Sequence, residues 1–210
     1  YTGLGVQRSF LKKDKFELKA MLGYSFGYEE WSPRIEGEWA LDPEDQSNRI
    51  WAQFGNITAS RLHSTYYSGF IQSVPILLGF DDYNDYYRNT YSKFGFTHRI
   101  KTAILGRRSD LRLYYSTENH SSIDYKTNYN LRGNNRSSRI NPSIEDGRLA
   151  SVNIEIEGGS GKEALGVIEA SNLYFGVEGS HNALGSDWNF ARFELEIFQR
   201  IKTFYKRRLI

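Results

Sequence analysis

From Phe16 the chain alternates. Phe16, Leu18, Ala20, Leu22, Tyr24, Phe26 and Tyr28 take the even positions, and Lys15, Glu17, Lys19, Met21, Gly23, Ser25 and Gly27 take the odd ones. A period of two sends successive side chains to opposite faces of a strand. One face is therefore apolar and aromatic, and the other is charged or nearly bare, with Met21 the one exception. Any fold of this chain must give both faces a suitable environment.

The same period recurs along the sequence. Residues 2–10 set Leu4 and Val6 against Gly3 and Gly5. Residues 32–42 set Ile35, Gly37, Trp39 and Leu41 against Arg34, Glu36 and Glu38, and the following "DPEDQSN" is rich in turn formers. Residues 49–60 place Ile50, Ala52 and Phe54 opposite Arg49, Gln53 and Gly55, although Trp51 interrupts the polar row. The alternation resumes at 92–102, then around Leu111, Leu113 and Tyr115, around Val152, Ile154 and Ile156, over 164–179, and over 189–205. About nine long strands and no helix are expected, so the fold class is all-β.

Strand length selects the environment. Globular strands run to about 5–6 residues, whereas a strand crossing a membrane needs about 9–11, and several segments here reach a dozen. No apolar run approaches the roughly 20 residues of a membrane-spanning helix. A barrel needs only every second residue to be apolar. A soluble β-sandwich would also alternate, with its apolar face against a second sheet. The length of the strands, the 15 tyrosines and the neighbour-to-neighbour order favour an antiparallel transmembrane β-barrel occupying 1–210. The 27 basic and 25 acidic residues are interspersed, which gives no field for nucleic acid, and the absence of cysteine excludes disulfides and thiolate metal sites. A start on Tyr1 without a leader reads as a processed or excised piece.

Two stretches break the period: 62–90, crowded with Tyr83, Tyr86 and Tyr87 and with Asp81, Asp82 and Asp85, and 121–147, rich in Asn, Ser, Arg and Gly. Loops of this length belong on the outer side of a barrel, and turns such as "LKKD" (11–14) and "LGRRSD" (105–110) on the periplasmic side. Catalytic or metal chemistry finds little support. His63, His98, His120 and His181 lie apart, "FDDYNDYY" lacks the glycine and terminal glutamate of an EF-hand loop, and Lys162 in "EGGSGKEALG" precedes Glu163 rather than Ser or Thr. Gly23-Tyr24-Ser25-Phe26-Gly27 matches G-x-S-x-G, but the alternation runs straight through Ser25. Glu29-Glu30 and the pair Glu155 and Glu157 read as solvated strand faces. The basic and aromatic end "FYKRRLI" suits a membrane–water interface. No enzymatic activity and no cofactor are expected.

"YTGLGVQRSF", "KFELKAMLGYSFGYEEWSPRIEGEW", "DDYNDYYRNTYSKFGF" and "SSRINPSIEDGRL" resemble strands and inter-strand segments of the BamA-like (bacterial surface antigen) barrels. They are most similar to the version fused to a carboxypeptidase-regulatory-like domain in Bacteroidetes outer membranes. The resemblance implies a sixteen-strand barrel of which this chain holds part, in a bacterial outer membrane, acting in outer-membrane protein insertion or in export of surface components. The partners it implies are the lipid bilayer, other assembly proteins and client barrels. Arg132-Gly133 lacks the aromatic residue of the family's Arg-Gly-aromatic motif, which is expected beyond Ile210, as soluble modules are expected before Tyr1. On this reading Phe16, Leu18, Ala20, Leu22, Tyr24 and Phe26 face lipid, and residues 2–10, with Leu4 and Val6, form one side of a seam between first and last strands. A passive solute channel or adhesin barrel is the alternative, ahead of a soluble β-sandwich that binds carbohydrate.

Overall fold

The computed structural model describes residues 2–10, 15–25, 30–42, 44, 47–60, 85–104, 107–123, 141–160, 163–164, 167–168, 171–198, 201–202 and 208–209. Nine strands form one antiparallel sheet. They are β1 (Thr2–Phe10), β2 (Phe16–Ser25), β3 (Glu30–Ala40), β4 (Asn48–Ser60), β5 (Tyr86–Ile104), β6 (Arg107–Ser122), β7 (Gly147–Ser160), β10 (Ser171–Ser180) and β11 (Phe190–Phe198). Two-residue strands β8 (Glu163–Ala164) and β9 (Val167–Ile168) pair with each other, as do β12 (Ile201–Lys202) and β13 (Arg208–Leu209). The described residues contain no α-helix, only a 3-10 turn at Asn182–Leu184.

Each main strand pairs with its neighbours in sequence, skipping only the small β8–β9 hairpin, and the sheet is not closed: β1 and β11 are its edges. The all-β, nine-strand expectation holds for this sheet, with several boundaries moved. Trp31 belongs to β3 rather than to the strand that begins at Phe16. β5 starts at Tyr86, before the alternation becomes visible at Ser92, because residues 86–91 pair with β4 and present mixed side chains. The expected strand 164–179 begins only at Ser171, where pairing with Ser160 of β7 starts. β11 ends at Phe198, opposite Asn172 and close to the start of β10; of the alternation expected to continue towards Tyr205, residues 199–200 and 203–205 lie outside the described residues.

Local chemistry shapes the connections. Asp42 Oδ1 accepts the Glu44 amide at 2.9 Å, an Asx turn, and Leu41 N donates to Asn48 O at 2.9 Å to close that hairpin. Ile104 pairs with Arg107, leaving two residues between β5 and β6. Gly185 ends the 3-10 turn at φ 87°, a left-handed conformation that costs residues bearing Cβ. The antiparallel order brings the segments after β4 and β6 out at the same end of the sheet, together with the connections after β2 and β10. The connections after β1, β3 and β5 leave at the other end. We refer to these as the long-loop and short-loop ends.

Candidate functional site: a two-faced wall

Hydrogen-bond register converts the sequence alternation into two continuous surfaces. On one, Phe16, Trp39, Ile50, Phe96, Leu113, Ile154, Val177 and Phe193 lie in a single cross-strand row. On the other, Lys19, Glu36, Gln53, Lys93, Ser116, Ser151 and Ser180 do the same. Burial is the reverse of a soluble protein's. Of the eighteen exposed large apolar side chains among the described residues, all but Met21, Leu41 and Phe190 lie on the apolar face. They include Val6 at 72 % exposure and Phe193 at 73 %. Among the described residues the largest fully buried side chains are serines, Ser109, Ser116 and Ser151.

The polar face is shielded because its side chains bond to one another from strand to strand. Gln7 Nε2 donates to Glu17 (2.6 Å), Lys19 bridges Glu17 and Glu36 (3.1 and 3.3 Å), and Gln53 donates to Glu36 (3.2 Å). Arg49 on β4 reaches Glu38 on β3 and Asp110 on β6, each at 3.0 Å, and Arg99 completes the cluster at 3.2 Å. Lys93, Asn89 and His120 converge on Glu118 at 2.8, 2.6 and 3.3 Å. The hydroxyls of Tyr114 and Tyr174 donate to one oxygen of Glu155 from both sides of β7, at 2.6 and 3.2 Å, with Arg112 beside it. Ser116, Ser151, Glu178 and Arg192 carry the chain of bonds to β11 (2.9, 2.8 and 3.0 Å).

Strands two apart are about 9.5 Å apart in a flat sheet, so the Arg49–Asp110 pair across β5 fits a sheet curled towards its polar side. An open groove of about 280 Å³ runs along this face, with Glu36, Arg49, Trp51, Lys93, Arg112 and Glu155 among its walls. Each of its three cations has a carboxylate within 4 Å, so the groove is polar without excess charge.

Trp51, which breaks the polar row in sequence, has a structural explanation. It pairs with Gly95, and Gly95 with Tyr114, and the two rings meet across the bare glycine at 5.4 Å. Tyr91 likewise lies over Gly55, where an added Cβ would meet its Cζ at 2.8 Å. A period-two reading cannot explain these aromatics on the polar face, because the pairing partner is set by register.

The expected lipid-facing set Phe16, Leu18, Ala20, Leu22 and Tyr24 shares the apolar face of β2, and Val6 continues it onto β1. The backbone of Leu4 pairs with Leu22. Aromatic pairs stand at both ends of this band: Phe16 with Trp39 at 6.1 Å, and Tyr24 with Trp31 at 4.9 Å. Lys15 Nζ lies 5.3 Å from the Trp39 ring.

Phe26, Tyr28, residues 61–84 and 124–140 (with His63 and Arg132), Lys162 and residues 203–207 lie outside the described residues. Ser25 is the last residue of β2. His98 bonds Asn48 (2.8 Å) and His181 accepts from Ala183 N (3.1 Å), and no group of metal-ligating side chains forms among the described residues. No protein-family model, curated protein or solved structure matches this chain.

Proposed function

We propose that the chain forms part of the wall of a transmembrane β-barrel in a bacterial outer membrane, with its apolar face in lipid and its polar face in a wet lumen. The supporting observation is the inversion of burial among the described residues, with serines and ion pairs inside and fifteen large apolar side chains outside on one face. In water that outer face would need a second sheet against it, and the described residues supply none. The dimensions agree. Phe16 and Tyr24 are eight residues apart on β2, about 27 Å along a strand. A tilt of roughly 40° projects this to about 21 Å, close to the roughly 25 Å apolar band of outer-membrane barrels, with aromatic pairs at both rims.

Lipid quenching of single-tryptophan variants tests the assignment. In vesicles of brominated phosphatidylcholine, a variant retaining Trp39 should be strongly quenched and one retaining Trp51 spared. Equal quenching of both would overturn the wet and dry sides.

Within that wall, the role implied by the family resemblance is insertion of outer-membrane proteins or export of surface components. The edge position of β1 supports it, since an edge strand is a template for strand addition. Cysteines placed at Gly5, Val6 and Gln7 should cross-link to a client barrel during assembly, and absence of adducts while assembly proceeds would sink this role. The groove on the polar face favours a second reading, a passive channel for polar solutes. Conductance across vesicles that changes on Arg112→Glu would support it.

A further inference from the structure

The polar face carries one patch that does not match its charge-paired surroundings. At the long-loop end Tyr87 of β5, His120 of β6, Leu149 of β7 and Phe190 of β11 all project from the polar face, joined by Trp188 and Ile144 from the adjoining connections. Together they wall a hollow of about 440 Å³, inside the roughly 300–1,000 Å³ range of small-ligand sites. The rings are mutually ordered. Tyr87 meets the His120 ring edge-on at 5.0 Å, and His120 stacks on Trp188 at 5.9 Å.

Hydrogen bonds hold the walls in place before any ligand arrives. The side-chain amide of Asn141 acts as a substitute strand: its Oδ1 accepts from Tyr86 N and its Nδ2 donates to Tyr86 O, both at 2.8 Å, and Nδ2 also donates to Ile123 O at 3.0 Å. Ser122 Oγ fixes Ile144 through its N and O at 3.0 and 2.9 Å. Asp187 is locked to Arg148 by two bonds, of 2.8 and 2.6 Å. Trp188 is fixed by its backbone, through Ser186 and Ser180 at 3.2 and 2.8 Å. A preformed site avoids an ordering cost on binding.

The framework leaves groups at the rim unused. Ser143, Glu145, the Tyr87 hydroxyl and Trp188 Nε1 take no hydrogen bond or ion pair among the described residues, and Ser143 and Glu145 are exposed. Flat apolar walls ringed by separate donors and acceptors suit a ligand with a C–H face and a hydroxyl edge. An acyl chain would leave the rim groups unpaired, and an anion would meet Glu145 and Glu118.

The geometry points to a binding site for a neutral sugar ring at the mouth of the wall, stacked on Trp188 and Tyr87 and hydrogen-bonded through Glu145 and Ser143. This site is independent of the membrane assignment, because the pocket is built within one end of the sheet.

The full chain, held in a polyoxyethylene detergent so that no glycoside headgroup competes, is titrated calorimetrically with a panel of neutral monosaccharides and disaccharides and, separately, with phosphocholine. Saturable binding of at least one neutral sugar is expected, weakened about tenfold or more by W188A and also weakened by E145Q. Glu145 is exposed and unpaired, so E145Q should leave the circular dichroism spectrum and unfolding midpoint unchanged, which separates a ligand effect from misfolding. No saturable binding of any neutral sugar, binding unaffected by both variants, or binding of phosphocholine alone, the signature of an aromatic cage for a cation, would overturn the proposal.

Discussion

Glycine on the polar face does two distinct jobs, and substitution separates them. At Gly95 an added Cβ would lie 2.4 Å from Tyr114 Cβ and 2.6 Å from Leu113 O, so backbone as well as side chain would have to move. At Gly55 the obstruction is only the Tyr91 ring, at 2.8 Å. Both alanine variants should be destabilised, by about 1–3 kcal/mol, measured as urea midpoints in vesicles. The penalty at Gly55 should vanish in a Tyr91→Leu background, while the penalty at Gly95 should persist in Tyr114→Leu, a contrast in coupling read from two double-mutant cycles. On the opposite face the environment decides. Leu113 is 48 % exposed in the middle of the apolar row, and Leu113→Arg should cost about 2–4 kcal/mol if lipid surrounds it. Glu17, paired at the edge of the polar network, should tolerate Ala with a cost below about 1 kcal/mol. Equal costs for the two would contradict the assignment of faces.

At the scale of the element, the connections carry their own stability. Gly185 sits at φ 87° with open space within 4 Å of the position a methyl group would take, so Gly185→Ala meets no clash and isolates the backbone term, about 1 kcal/mol. A drop several times larger would mean that the 181–189 connection is also coupled to the pocket wall. The strands show what a sequence can and cannot disclose. β2 is legible because both its neighbours keep its faces uniform, so Phe16 to Tyr24 alternate cleanly. The start of β5 is not: Tyr87, Asn89 and Tyr91 project to the polar face, where period two predicts charge or glycine. Their partners, the ring of His120, the carboxylate of Glu118 and the bare backbone of Gly55, lie on strands distant in sequence. The polar-face cluster is equally hidden, since Arg49 and Asp110 are separated by 61 positions and meet only through register and curvature. The apolar face needs no such knowledge, because each of its residues is apolar whichever strand it pairs with.

For the whole molecule, parity is the constraint. Nine strands in an antiparallel meander leave β1 and β11 running in the same direction. Closing these two edges directly would therefore create a parallel seam, with slanted and slightly less stable pairing. A twofold along the barrel axis, joining two copies, would again set β1 beside a parallel β11. A fully antiparallel closure needs an odd number of further strands. Orientation makes the same demand from another side. Thr2 lies at the long-loop end, since β1 runs towards the connection that enters β2 at the short-loop end. With the long loops outside, a periplasmic module could reach Thr2 only after an odd number of crossings. A seam formed by β1 itself would thus require the opposite orientation. The chain contains no cysteine, so introduced pairs report without background. Single cysteines at Gly5 or Gln7 combined with one at Arg192, Glu194 or Glu196, all on the polar face, should give no intramolecular disulfide in any pairing when the protein is embedded in membrane. A control pair at Gln7 and Lys19, directly opposite across β1 and β2, should oxidise readily. Efficient β1–β11 cross-linking would establish a parallel seam and remove the need for additional strands.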